Sequence, residues 1–571
     1  MNAAQRFLGM GYDLMQHGQN AEALVALEKA RLLAPDHDQT LFLLGCCYRA
    51  MLRHDAALAC FRNLADVQPN LAIGHYYVGL TEIDRRRFEQ GQQAFAVAVR
   101  LSEQAGDDFY GILCAQGYAL LKEEESERGF AVLQEARRRC PERGDALRIL
   151  WRHLLQRGDI DGAVRQAEAA LALNESPGLL AEARRYITMC AWLRQRLADL
   201  PAHLAGLQPA VQAKPGFVLG IAVWGEAYVR MCLYHLRTLA APGNLPAMAR
   251  HFAVKLLFVT TQQDRRRLEE SGIFDLFSGI AEIDFLDLPN AIVVKEEYFA
   301  PSEHMYVVYA MAMHLCLEYA RRIKAAVCPF VADTLVADGS FATLADLARQ
   351  GFKTIFATGL VGTSETLLPE IDAAYGADGA PPQKLVIAPD ELMRLGDRHL
   401  NAIFLHCIVS PSNADFSLPP GVLFWRTPEG LIGHGFNLHP VFIHPDILET
   451  YRTPVFATVD GHLPRFLAPG PKAWALAKVI DDSDLFGIIT LAPAGKQFHK
   501  SGAAFNIEVE KNYVAGRWPV AAANLWLFRH PMLFRHVRPS PVSEYDPRIV
   551  DEIVEAFRHC RPREAEDLSD D

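Results

Sequence analysis

Small and large apolar positions recur along the first third of the chain with a fixed step. Gly11, Gly45 and Gly79 are 34 residues apart, and Ala23, Ala57 and Gly91 keep the same step. Leu27, Phe61 and Phe95 follow in phase, then Ala30, Leu64 and Ala98, with Pro35 and Pro69 closing the unit. A self-similar period of this length marks a solenoid of stacked helix pairs. Gly45 and Ala57 fall where the two helices of a pair would cross, and a larger side chain there would push them apart. Pro69 ends the second helix of its unit. A fourth unit follows in shifted phase (Gly117, Gly129, Leu133, Ala136, Pro141), and a weaker fifth reads Ala163, Ala167, Ala170. Residues 177–200 keep a helical composition and are expected to cap the stack, because a bare solenoid end exposes apolar surface.

Position by position, this pattern resembles the tetratricopeptide repeat. The resemblance implies a right-handed superhelix over residues 1–200 with a concave groove for a peptide or partner protein. Ligand contacts would come from exposed residues on the first helix of each pair, where Tyr48, Arg49, His75, Tyr76 and Tyr77 lie, and some of these must belong to the core.

Residues 201–216 hold three prolines and no strong periodicity, so they are expected to be a linker. The pattern then changes. Strands are predicted at 217–224, 253–260, 281–286, 326–336 and 353–357, with helices at 226–239, 263–277, 306–324 and 341–349 between them. Alternation of this kind indicates βαβ units and a mostly parallel, Rossmann-like sheet. From about residue 422, short β runs around Pro428-Glu429-Gly430 predict an antiparallel extension. This second domain is expected over 217–562, and the acidic residues 563–571 are expected to be a disordered tail.

Composition narrows the function classes. The net charge of −11 and pI of about 6.0 argue against a broad nucleic-acid-binding surface. The 11 cysteines form no CxxC pair and many lie in apolar runs, which fits reduced thiols in a cytoplasmic protein. No signal peptide is legible at the N-terminus, and the longest apolar runs (252–260 and 402–409) fall far short of the roughly 20 residues of a transmembrane segment. There is no GxGxxG after the first strand, no Walker A sequence and no GxSxG elbow.

Ligands of open α/β sheets bind beyond the carboxyl ends of the strands. The candidates there are Trp224 and Gly225, Thr260, and the run Asp338-Gly339-Ser340, with Asp333 five residues before Asp338. Two readings stand for Asp338: a cation ligand shared with diphosphate oxygens, or a cap on the following helix. His434, His439 and His444 are spaced by five, so they alternate faces of a strand and cannot share one metal without a turn. Asp460 also follows a β-like run and precedes a glycine, as a general base or a partner for sugar hydroxyls would. Asp481, Asp482 and Asp484 read either as a cation site or as a solvated turn.

Over about residues 215–500 the chain resembles a glycosyltransferase of the GT-A type. The resemblance rests on GIAVWGEAYVRMCLYHLRTLAAPGN, on LVADGS, and on GFNLHP followed by TVDG. It implies a nucleotide-sugar bordered by Trp224 and Thr260, with Gly225, Asp333, Gly339 and Ser340 beside it. It implies Mn²⁺ or Mg²⁺ on Asp338 and a late ligand at His439, with Asp460 as base or sugar contact. The family's DxD has two acids; Val336-Ala337-Asp338 has one. The expected function is therefore transfer of a sugar from a nucleotide-sugar to a protein or glycan acceptor held by the repeats, as in a bacterial protein glycosyltransferase. The alternatives are a non-enzymatic repeat scaffold with a degenerate transferase-like domain, or another α/β enzyme such as a hydrolase or nucleotidyltransferase.

Overall fold

The computed structural model describes residues 2–558 except 18, 86, 123–125, 174, 207–213, 294–300, 377–382, 411–412, 414–421, 451–462, 469, 496–504 and 508–521. The N-terminal part is built of paired helices: α1 (Ala3–Gln16) with α2 (Asn20–Leu33), α3 (Asp38–Ala50) with α4 (His54–Val67), and α5 (Ala72–Asp84) with α6 (Phe88–Ala105). The pairs α7 (Tyr110–Lys122) with α8 (Ser126–Arg139) and α9 (Asp145–Gln156) with α10 (Ile160–Leu171) follow, then the long α11 (Pro177–Ala205).

The phased positions explain the pairing. A Cβ on Gly45 would lie 2.5 Å from the ring of Phe61, one on Gly11 2.6 Å from Leu27, and one on Gly79 2.8 Å from Phe95. Gly117 faces Leu133 in the same way, at 2.6 Å. The first four pairs thus seat a large side chain of the second helix in a space that only a glycine of the first helix leaves open; the first helix of the fifth pair holds no glycine. Ala57, Leu64, Ala98 and Ala136 complete the buried seams.

Helix α11 starts on Pro177, after a Ser176 side chain that accepts the Leu179 N–H. It continues through Pro201 to Ala205, so the first five residues of the expected linker, 201–205, are helix. Its apolar face is no mere end cap. Met189, Trp192 and Leu193 belong to one continuous core that runs from Trp151 and Leu155 of the last repeats to Leu286, Leu288 and Ile292 of the α/β part. The Trp192 indole N–H donates to the Asp287 carbonyl at 3.1 Å. Further along, Asp284 accepts from Tyr319 at 2.6 Å and faces His203 Nε2 at 2.9 Å. The solenoid and the α/β part therefore share a core.

The main sheet has seven strands in the order β11-β6-β10-β4-β1-β2-β3. These are β1 (Gly216–Val223), β2 (Ala253–Thr260), β3 (Ala281–Asp287), β4 (Ala326–Val331), β6 (Thr354–Ala357), β10 (His439–Ile443) and β11 (Ala477–Val479). β2, β1, β3 and β4 run parallel, and β10 enters antiparallel between β4 and β6. A second sheet joins β5 (Thr334–Val336), β12 (Ile488–Ala492) and β7 (Leu360–Thr363). A third, antiparallel, joins β13 (Met532–Arg535), β9 (Gly430–Gly435) and β8 (Val422–Thr427). Helix α12 (Glu226–Leu239) covers one face of the main sheet and the helix Pro301–Arg322 the other.

Two strands differ from the expectation. The predicted strand 326–336 is broken at Ala332-Asp333 into β4 and β5. The β1 ladder ends at Ala222↔Val331, and beyond it the chain finds partners in β12, where Ile489 faces Leu335. The expected antiparallel extension holds for the β8–β9 hairpin, but β10 leaves it to fill the main sheet.

Gly45→Val is expected to lower the stability of the repeat region by about 1–3 kcal/mol, since the branched side chain overlaps the Phe61 ring. Gly9→Ala, where nothing lies within 4 Å, is expected to raise it by roughly 0.5–1 kcal/mol. Urea denaturation followed by helical circular dichroism compares the two, and equal midpoints would contradict the seating of large residues on glycine.

Candidate functional site

The chain leaves β1 for β2 and then β3 on one side, and returns to β4 on the other. The strand order therefore reverses between β1 and β4, and the crevice at their carboxyl ends is where a ligand of such a sheet sits. Trp224 and Gly225 follow β1, Thr260 ends β2, and Asp333 follows β4 after one residue. Gly225 has φ 84°, a conformation that suits glycine, and its N–H donates to Asp264 Oδ2 at 2.9 Å. The Thr261 hydroxyl donates to the same oxygen at 2.8 Å and accepts the Asp264 N–H at 3.1 Å, capping the helix Gln262–Glu270. Arg267 binds the second oxygen of Asp264 at 2.8 Å.

Buried Asp264 thus ties the turn after β1 to the turn after β2. Sequence reasoning missed it. Its signal was the Thr261-x-x-Asp264 spacing of a helix start. Trp224 and Thr260 stand at the carboxyl edge but are buried, and among the described residues neither Trp224 Nε1 nor Thr260 Oγ1 has a hydrogen-bond partner.

Asp333 is half-buried, and its carbonyl accepts the Leu491 N–H at 2.7 Å. Its carboxylate acts on α12. Burial raises the pKa of the Tyr228 hydroxyl, and the charges of Asp333 and Tyr306 add to the rise. Burial also raises the Cys232 thiol, again with a contribution from Asp333.

The run Asp338-Gly339-Ser340 lies elsewhere. Asp338 Oδ1 accepts the Gly243 N–H at 2.6 Å, and the Asp338 N–H donates to the Ile387 carbonyl at 2.8 Å. Gly243 follows the C-terminus of α12, a helix of 14 residues, which spans about 20 Å from the crevice. The break at Ala332-Asp333 turns β5 back along α12: His235 Nδ1 meets the Thr334 carbonyl at 2.6 Å and Thr238 accepts the Val336 N–H at 3.2 Å. The expectation that Asp338, Gly339 and Ser340 stand at a carboxyl strand end of the main sheet is thereby corrected. The capping alternative does not hold either. The helix Ser340–Arg349 is preceded by Gly339 at φ 97° with no side-chain cap, and Ser340 is buried.

The three histidines occupy three places. His439 opens β10 opposite Ala357, beside the end of β4, where its Nε2 meets the Pro329 carbonyl oxygen. His434 is buried in the third sheet, with Nδ1 on the Phe528 carbonyl at 2.7 Å and Nε2 on the Tyr545 hydroxyl at 3.0 Å. His444 Nδ1 accepts the Asp446 N–H at 3.2 Å beyond β10. The Asp481–Asp484 turn is neutralised by cations: Lys478 pairs with Asp481 at 3.0 Å, and Arg535 with Asp482 at 2.7 Å and Asp484 at 3.3 Å. Asp460 and the tail 563–571 lie outside the described residues. Among the described residues, no three His, Cys, Asp or Glu side chains form a group able to hold a metal. No described helix is long and apolar enough to cross a membrane.

These features define a helical-repeat solenoid continuous with an α/β domain whose strand order reverses between β1 and β4. No protein-family model and no curated protein sequence matches the chain. Solved structures that match it include tetratricopeptide-repeat proteins. A thermophilic TPR protein of Thermus thermophilus is 20% identical, with 33% of this chain and 100% of that chain covered and a TM-score of 0.27. The type IV pilus biogenesis factor PilW is 16% identical, covering 36% and 96%, with a TM-score of 0.29. YrrB, a TPR protein with an unusual peptide-binding site, is 15% identical, covering 31% and 90%, with a TM-score of 0.24.

Burial also sets the acid limit of the fold. Desolvation pushes His153, His235 and His434 down from 6.5 to about 4. Each is neutral when folded and takes up a proton below 6.5 when unfolded. Their stabilisation is complete above pH 6.5 and is lost as the pH falls towards 4. The denaturation midpoint is therefore expected to fall across this window, and His434→Gln to flatten the fall. An identical pH profile for the variant would show that His434 takes no part.

Asp338→Ala is expected to cost about 1–3 kcal/mol by leaving the Gly243 N–H unpaired. Thermal denaturation measures this, and an unchanged midpoint would contradict the role of Asp338 as a brace.

Proposed function

We propose that the crevice between β1 and β4 binds a nucleotide-sugar, and that the chain is a glycosyltransferase whose solenoid holds a protein partner as acceptor. The observation that carries this reading is the position of Asp333. The GT-A resemblance implies an acid at the end of the fourth strand, and Asp333 follows β4 at the switch point. In this reading Asp333 takes the role that the sequence assigned to Asp338. His439, Trp224, Gly225 and Thr260 lie at the same carboxyl edge. The helix-pair groove supplies the holding surface for a peptide or protein.

The chemistry is electrostatic. The departing nucleoside diphosphate carries charge that the site must stabilise. Asp333 is the residue that would hold a divalent cation, and the cation would supply charge to offset that of the diphosphate. His439 spends its Nε2 on the Pro329 carbonyl, so it orients the edge of β4. Asp460 remains the proposed base for the acceptor hydroxyl.

The continuous core favours a second reading, in which the α/β part only braces the solenoid as a scaffold for other proteins. Calorimetric titration of the full chain with UDP-, GDP- and CMP-sugars, with and without Mn²⁺, separates the two. Binding of one donor is expected, with Asp333→Asn weakening it at least about tenfold and Asp338→Asn leaving it unchanged at a temperature where both are folded. Absence of binding across the panel favours the scaffold, and loss of binding in Asp338→Asn alone would overturn the reassignment to Asp333.

A further inference from the structure

The helix Ser364–Tyr375 leaves β7 of the second sheet, and the helix Pro389–Arg398 meets it where the Arg398 Nε donates to Glu370 Oε1 at 3.0 Å. His399 follows Arg398, and its ring spans two side chains of the first helix. Nδ1 lies 2.9 Å from Thr366 Oγ1, and Nε2 lies 2.5 Å from Glu370 Oε2. Thr366 and Glu370 are four residues apart, so they share one helix face and a single imidazole reaches both. The partners fix the proton. The Arg398 guanidinium, and then His399, holds the Glu370 carboxyl below the usual carboxylate range, so it is ionised and only accepts. Nε2 therefore carries the ring hydrogen, and Nδ1 of the neutral imidazole accepts the Thr366 hydroxyl. The other acceptor of that hydroxyl, the Thr363 carbonyl, is farther away at 3.3 Å.

The Thr366 hydroxyl is open to water, whereas the His399 side chain is only 13% exposed. A reachable hydroxyl, a sheltered base and a carboxylate that orients the base make the arrangement of nucleophilic catalysis, which is recognised by geometry on unrelated folds. Thr366 lies in the first turn of a helix of 12 residues that has no side-chain cap. The first-turn N–H groups and the positive end of the helix dipole stand at the same end as the hydroxyl, where they suit a developing oxyanion.

We infer that Thr366, His399 and Glu370 form an acyl-transfer triad that hydrolyses short-chain carboxylic esters. The triad stands on the second sheet and is independent of the nucleotide-sugar reading. Thr366 Oγ1 attacks the ester carbonyl carbon and passes its proton to His399 Nδ1. The bond from that carbon to the alcohol oxygen breaks, and Nδ1 returns the proton to the leaving alcohol. Water then attacks the acyl-threonine with His399 again as base, which releases the carboxylic acid and restores the Thr366 hydroxyl. Glu370 touches no substrate atom and is a positioning residue: it fixes the tautomer and steadies the imidazolium. The exposed neighbours Glu365 and Arg398 are charged, which favours a short acyl group on a polar alcohol.

The test is hydrolysis of p-nitrophenyl acetate and p-nitrophenyl butyrate by the full chain, for the wild type, Thr366→Ala, Thr366→Ser, His399→Gln and Glu370→Gln. Thermal denaturation checks that each variant is folded, and Thr366, being exposed, carries the decision if the His399 variant does not fold. Thr366→Ala and His399→Gln are expected to slow hydrolysis at least about a hundredfold, and Thr366→Ser to stay within about tenfold of the wild type. Glu370→Gln is expected to slow it about tenfold and to move the rise of rate with pH to lower pH, because the imidazolium loses its carboxylate partner. Peptide mass spectrometry of the acid-quenched wild type is expected to find the acyl group on Thr366. A folded Thr366→Ala variant as fast as the wild type, a wild type that hydrolyses neither ester, or an acyl group on another residue alone would each overturn the triad. An unchanged pH profile in Glu370→Gln would overturn the role of Glu370.

Discussion

Helix α11 is buried on two sides, and neither half of the molecule closes its core without it. On one side Ala183, Met189 and Cys190 complete the last repeats; on the other Trp192 reaches the end of β3. Truncating a buried indole of this kind costs on the order of 3–5 kcal/mol, which is a large share of the net stability of a domain. The helix also sets direction. Trp192 meets Asp287 at the carboxyl end of β3, and His203 meets Asp284 three residues lower, so α11 runs antiparallel to the strand. Its first 15 residues, from Pro177, therefore extend roughly 22 Å beyond the carboxyl edge. The solenoid leaves the α/β part from the edge that carries the β1/β4 crevice. Whatever the repeats hold is carried on that side of the sheet, by a shared core and not by a tether.

The same geometry separates two acids that the sequence places side by side. Asp333 and Asp338 are five residues apart, yet β5 carries the second back along α12. Asp338 then serves the fold: its carboxylate closes the turn at Gly243, where a Cβ would come within 2.5 Å of the Gly339 nitrogen. Asp333 stays just beyond the end of β4. One acid braces the fold, and the other stays at the carboxyl edge of the main sheet.

This division shows which parts of the fold were legible in the sequence. The repeats were legible because their code is local: Gly45 and Phe61 lie 16 residues apart, and the first four units repeat the match of small with large. The first three strands were legible because β1 and β2 are apolar runs between helices of clear period. The end of β4 was not. Nothing at Ala332-Asp333 resembles a breaker, and the chain turns there because β12, far downstream, offers β5 a ladder. The place of His439 was hidden for a similar reason, since β10 is inserted between β4 and β6 from a segment whose own pattern predicts only a hairpin extension. Asp264 was hidden because its role depends on Gly225, from the neighbouring strand. Local signals fixed the elements, and long-range pairing decided which acids share an edge.

In the proposed reading, the β1/β4 edge would have to accept negative charge on a chain whose net charge is already −11. A single carboxylate at Asp333 repels a diphosphate unless other groups offset it. Two helices begin at this edge, α12 and Pro301–Arg322, of 14 and 22 residues. Each carries about half a positive charge at its N-terminus, with first-turn N–H groups that lack helical partners. The Gly225 N–H is already given to Asp264, which draws the start of α12 towards β2 and holds it in place. In the proposed reading an anionic donor between β1 and β4 would meet both helix starts, and a cation held by Asp333 would supply the rest. Asp264 is already occupied by Gly225 and Arg267, so in the proposed chemistry Asp333 would be the acid that holds the cation, while the oriented backbone of two helices would meet the phosphate charge.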